Sequence, residues 1–86
     1  MIIKKKTWPR PFEKVLSGDK TFELRLADWE CTLGDTLILE EWDPETKEYT
    51  GRTIEKKVTY VAKTKGQPYF TKEEVEEHGF QVIGFK

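Results

Sequence analysis

Lys20, Glu23 and Arg25 bring two cations and a carboxylate into one short run, Gly18-Asp19-Lys20-Thr21-Phe22-Glu23-Leu24-Arg25. An ammonium and a guanidinium suit a phosphate or a base carbonyl, and a carboxylate beside them accepts from an exocyclic amine. A lysine acts as a general base only where its surroundings favour the neutral amine. Glu23 beside Lys20 works against that, but Arg25 shares a strand face with Glu23 and can claim the carboxylate instead. The sequence leaves this pairing open. The grouping suits a reader of ligands more than a catalyst, so catalysis is not expected; if there is any, Lys20 is the residue to carry it. The plain alternative is an exposed ion-pair network contributing about 0.2–1 kcal/mol per pair.

Other reactive types offer less. Cys31 has only His78 as a potential imidazole partner, which supplies neither a Cys–His nucleophile nor a zinc ligand set, so no metal is expected. Ser17 lacks a nucleophile-elbow context and reads as a helix-end residue. Trp8, Trp29 and Trp42 suit packing, with Trp29, between Asp28 and Glu30, the best candidate for stacking on a base. Glu73, Glu74, Glu76 and Glu77 form a solvated helix face. Lys4, Lys5, Lys6, Arg10, Lys56 and Lys57 make a basic rim only if strand pairing gathers them.

These residues must be positioned by short elements. Ile2 to Thr7 reads as a strand. Pro9 or Pro11 suits the first turn of a helix whose stripe is Phe12, Val15 and Leu16, and Gly18 suits its left-handed end. From Thr21 to Leu26 apolar and polar residues alternate, predicting a strand with Phe22, Leu24 and Leu26 inward and Thr21, Glu23 and Arg25 outward. Gly34-Asp35 turns into a strand from Thr36 to Trp42, with Leu37, Ile38 and Leu39 buried on both faces. A turn at Asp43-Pro44-Glu45-Thr46-Lys47-Glu48 leads to a long strand from Arg52 to Lys63, with Ile54, Val58, Tyr60 and Ala62 on one face. Thr71 and Glu74 make a capping box for a short helix ending at Gly79, and Phe80 to Phe85 closes the chain as a strand. Antiparallel hairpins dominate this order, favouring a small closed or partly closed barrel with peripheral helices.

Gly18, Lys20, Glu23 and Arg25 match all four fixed positions of the ASCH signature, G-x-K-x-x-E-x-R, at a helix-to-strand junction. The Leu33-Gly34-Asp35 turn adds to the likeness. The hairpin from Glu41 to Thr46, followed by Tyr49-Thr50-Gly51-Arg52, is similar to a bacterial and phage subgroup of that family without an assigned role. The resemblance covers nearly the whole chain. It implies a mixed α/β, mainly β, PUA-like small barrel with two or three short helices, and a ligand site at Gly18, Lys20, Glu23 and Arg25. The partner it implies is RNA or a nucleotide, without a cofactor. Some very small ASCH proteins are amidohydrolases acting on N4-acylated cytidine, with a threonine three residues after the lysine; here that position is Glu23, and Thr21 stands at a different spacing.

The chain has 86 residues, enough for one domain with a modest core. With 15 basic and 16 acidic side chains its net charge is −1, not the large basic excess of a protein held on nucleic acid by phosphate neutralisation. Any such binding must therefore rest on a local pocket. No run approaches the ~20 apolar residues of a bilayer span, and apolar residues precede the first charges, the reverse of a secretory signal. The single Cys31 points to a reducing cytoplasm, and the size is compatible with a monomer. Three functions compete: an RNA- or nucleotide-binding module, a small amidohydrolase on a modified nucleoside, and an interaction module that binds no ligand.

Overall fold

The computed structural model describes residues 1–83. It contains β1 (Ile2–Thr7), α1 (Pro9–Leu16), β2 (Thr36–Asp43), β3 (Glu48–Lys57) and α2 (Lys72–His78). The fold is a small mixed α/β arrangement, mainly β. The strands form one sheet in the order β1-β2-β3, with β1 parallel to β2 and β2 antiparallel to β3. A parallel pair needs a crossover, and α1 with the chain through Asp35 supplies it.

Local chemistry explains each boundary. Along β1, Ile3, Lys5 and Thr7 are the more buried set, while Ile2, Lys4 and Lys6 face solvent. Trp8 is the N-cap of α1 and Pro9 opens the helix, where its missing N–H is no loss. Gly18, at φ 85°, donates from its amide to the Val15 carbonyl at 3.1 Å and ends the helix. Phe12 and Val15 pack on Leu39 of β2 as the buried core, with Leu37 and Ile54 against it. Leu16, expected in the same stripe, is exposed. At the hairpin, Asp43 accepts from the Glu45 amide at 2.8 Å through its side chain, and from the Lys47 amide at 2.7 Å through its carbonyl. The Thr71–Glu74 capping box forms as expected.

A buried carboxylate ties helix to hairpin. The β2–β3 register is irregular between Glu40 and Trp42, and Gly51 stands opposite this step at φ 93°. Thr50 and Arg52 are thereby brought onto Glu41, which is 4% exposed. Arg52 donates to both Glu41 oxygens, from Nε at 2.9 Å and Nη2 at 2.8 Å, and Thr50 Oγ1 donates at 2.6 Å. The same guanidinium pairs with Glu13 of α1 and lies 5.0 Å from the Phe12 ring centroid. These contacts fix α1 on the sheet, and so fix where its C-terminus delivers Gly18 and Lys20.

Several expected strands are absent. Residues 21–26 form no strand: Leu24 and Leu26 are 72% and 82% exposed, while the Glu23 side chain is 18% exposed. Phe22 and Glu23 are the half-buried pair and Thr21 is exposed, so the expected two-residue alternation of faces does not hold; the Glu23 carboxylate turns inward to its two cations. β3 ends at Lys57, leaving Val58, Tyr60 and Ala62 outside the sheet. Residues 80–83 carry no strand, and the remainder of the expected final strand lies outside the described residues. Among the described residues the sheet stays open, with β1 and β3 as edges, and does not close into a barrel. Two helices are present there, and neither is long and apolar enough to cross a membrane.

Candidate functional site

Past Gly18 the chain folds back, and the Lys20 amide donates to the Lys14 carbonyl at 2.9 Å. This places Lys20 beside the end of α1, with its ammonium 5.1 Å from the Phe22 ring centroid. Lys20 Nζ donates to Glu23 Oε1 at 2.7 Å, and Arg25 Nε donates to Glu23 Oε2 at 2.9 Å. The pairing left open by the sequence resolves as both: one carboxylate held between two cations. Arg25 also donates through Nη2 to the Lys6 carbonyl at 2.9 Å and to Thr7 Oγ1 at 3.1 Å. Residues 20–25 are thus anchored to β1 through a guanidinium, where a neighbouring strand would use backbone N–H groups.

The three residues form part of the wall of a cleft of about 390 Å³. Gly18 and Trp29 line it too, so all five residues singled out for ligand contact meet at one concavity. Thr21, Cys31 and Tyr60 lie along the same lining, with Leu37 and Leu39 at its base. Trp29, half-buried, holds the Lys5 ammonium over its ring, 3.9 Å from the centroid. Trp42 holds Lys6 in the same manner at 4.0 Å.

The cleft's charge differs from the chain's. Lys20, Arg25, Lys56, Lys57 and Lys63 are among its lining residues and Glu23 is the one carboxylate among them, in a protein of net charge −1. Lys63 is partly offset by Glu30 at 3.6 Å. Of the expected basic rim, Lys56 and Lys57 reach the cleft, while Lys5 is engaged with Trp29. A carboxylate offers about four acceptor positions, so Glu23 keeps acceptor capacity beyond Lys20 and Arg25. No cluster of three or more His, Cys, Asp or Glu side chains fit for a metal occurs among the described residues.

Sequence reasoning missed the contributions of Lys63, Tyr60 and the Glu41–Arg52 pair. Glu41 follows Leu37 and Leu39 at two-residue spacing, which marks it as inward-facing; its partner Arg52 depends on a register irregularity with no local signature. Hydrogen bonds from Arg52 first, and from Thr50, hold the Glu41 carboxyl below the usual carboxylate range. Asp35, at the turn into β2, is also held low, mainly by the Thr32 amide.

The profile of one protein family, described as a domain of unknown function (DUF3850), matches residues 2–83. The chain belongs to the DUF3850 family. A similar protein, the "Uncharacterized 12.9 kDa protein in GpA 3'region" of Escherichia phage P2, is 44% identical over 50 residues. That match takes in 58% of this DUF3850 chain and 44% of the phage protein, so the chain spans less than half the length of that relative. No solved structure matches.

Proposed function

We propose that this DUF3850 domain is an ASCH-type, PUA-like module that binds single-stranded RNA or a free nucleotide in the Lys20–Glu23–Arg25 cleft. The observation that supports this most is the carboxylate held between two cations on the wall of a locally basic cleft. In the proposed complex Glu23 accepts from the exocyclic amine of a base, which favours cytosine or adenine over uracil. The surrounding lysines attract the phosphate, and Trp29, on the wall of the same cleft, stacks on the base. The protein works without a cofactor, as a monomer, in the cytoplasm that its lone cysteine suits.

Binding is favoured over hydrolysis by the same geometry. Lys20 is a hydrogen-bond donor to Glu23, and the position three residues on carries a carboxylate where the hydrolase relatives carry a hydroxyl. Calorimetric titration with cytidine and uridine 5′-monophosphates tests the proposal. Cytidine monophosphate should bind the more tightly, and binding should weaken as salt rises. Heat signals at buffer level for both nucleotides and for short single-stranded RNA would refute it. Release of cytidine from N4-acetylcytidine, absent in Lys20→Ala, would turn the assignment to the amidohydrolase.

A further inference from the structure

On the other side of the charged trio lies a second, more open hollow of about 430 Å³, lined by Lys6, Thr7, Trp8, Pro11, Lys20, Glu23, Leu24 and Arg25. Lys20, Glu23 and Arg25 belong to both hollows, so they form the partition between them. Trp8, the N-cap of α1, lines the second hollow with 57% of its surface exposed. An indole left this exposed contributes little to packing, and the core of Phe12, Val15 and Leu39 does not include it.

The charges on the partition fit a strand crossing it. Lys20 and Arg25 against Glu23 leave one net positive charge there; Lys6 also lines the second hollow, with its ammonium over the Trp42 ring. Glu23 is neutralised by its two partners, so a phosphate over the partition meets a cationic surface while the carboxylate remains an acceptor for the base.

We propose that the two hollows hold consecutive nucleotides of one single-stranded RNA, with Trp8 stacking the base outside the cleft and Lys20 and Arg25 facing the phosphate between. This rests on the nucleotide-binding reading and adds to it a ligand class, an oligonucleotide rather than a mononucleotide. Base–aromatic stacking of this kind is worth roughly 5- to 150-fold in affinity.

The test compares cytidine 5′-monophosphate with the single-stranded tetranucleotide CCCC in wild type, Trp8→Ala and Trp8→Phe, each checked for folding by circular dichroism. The wild type should bind the tetranucleotide at least about 5-fold more tightly than the mononucleotide. Trp8→Ala should lose that gain while its mononucleotide affinity stays unchanged, and Trp8→Phe, which retains a ring, should keep most of it. A tetranucleotide gain that survives in Trp8→Ala, or an equal loss on both ligands, overturns the second subsite and leaves the first intact. If Trp8→Ala does not fold, a gain in Trp8→Phe below twofold overturns it. Absence of binding by either ligand in the wild type overturns the nucleotide reading itself.

Discussion

Replacing Glu23 by glutamine probes the proposed site with little change of shape. The two hydrogen bonds at Glu23 come from opposite sides, Lys20 on Oε1 and Arg25 on Oε2. A glutamine amide has one oxygen and one NH2, so one cation necessarily faces a donor and its contact is lost. Both ion pairs are partly exposed, which limits each to about 0.2–1 kcal/mol and the stability cost to under about 2 kcal/mol. A domain of this length holds roughly 4–13 kcal/mol, so Glu23→Gln stays folded. Its effect on the ligand is larger and selective. Loss of the negative charge and of one of the two acceptor oxygens should weaken cytidine monophosphate by about 1–3 kcal/mol, which is about 5- to 150-fold, while uridine monophosphate changes by less than about twofold. Parallel calorimetric titrations of the two nucleotides measure the difference. Equal affinities for cytidine monophosphate in wild type and Glu23→Gln, or equal losses for both nucleotides, would refute the acceptor role.

Three further outcomes follow from the geometry. Arg25→Lys keeps the charge but cannot reproduce the guanidinium fork that reaches Glu23, the Lys6 carbonyl and Thr7 together, so it should weaken cytidine monophosphate nearly as much as Arg25→Ala; full retention of affinity in Arg25→Lys would show that charge alone suffices. Leu39→Ala should cost about 2–5 kcal/mol in urea unfolding, because Leu39 is 1% exposed in the core, whereas Leu24→Ala should cost less than about 0.5 kcal/mol; a large loss at Leu24 would mean that residues 21–26 are packed as a closed barrel requires. The Glu41 carboxyl titrates lower in the folded chain than its ordinary value of 4.5, so its contribution to stability is complete above that value and is lost as pH falls through the folded value. Melting temperatures of wild type and Glu41→Gln should therefore converge as the pH drops below 4.5, and a constant gap down to strongly acidic pH would contradict this.

Elements announced by local chemistry were legible in the sequence. Pro9 and Gly18 bracket α1, the Asp43–Glu48 turn joins β2 to β3, and Thr71 with Glu74 caps α2. Elements that depend on distant partners were not. Alternation from Thr21 to Leu26 predicts two strand faces, but the segment has no strand partner and its half-buried residues are the adjacent Phe22 and Glu23. In the structure Arg25 reaches β1 through its side chain, Glu23 turns toward its cations, and the leucines face out. The parallel pairing of β1 with β2 escaped notice for the same reason, since register with a strand far along the chain leaves no trace in either segment. The candidate residues could be named because their types and spacing are local; that Lys56 and Lys57 share their cleft follows from how β3 returns along β2, and Tyr60 and Lys63 reach it on the irregular segment that continues past β3.

The proposed nucleotide site is tested most directly by heteronuclear NMR of the isotope-labelled protein titrated with cytidine 5′-monophosphate. Binding in the cleft predicts saturable shifts for the amides of Gly18 through Arg25 and for the Trp29 indole N–H, with the amides of α2 unmoved. Shifts confined to α2 or spread evenly over the surface, or none at millimolar nucleotide, would contradict it.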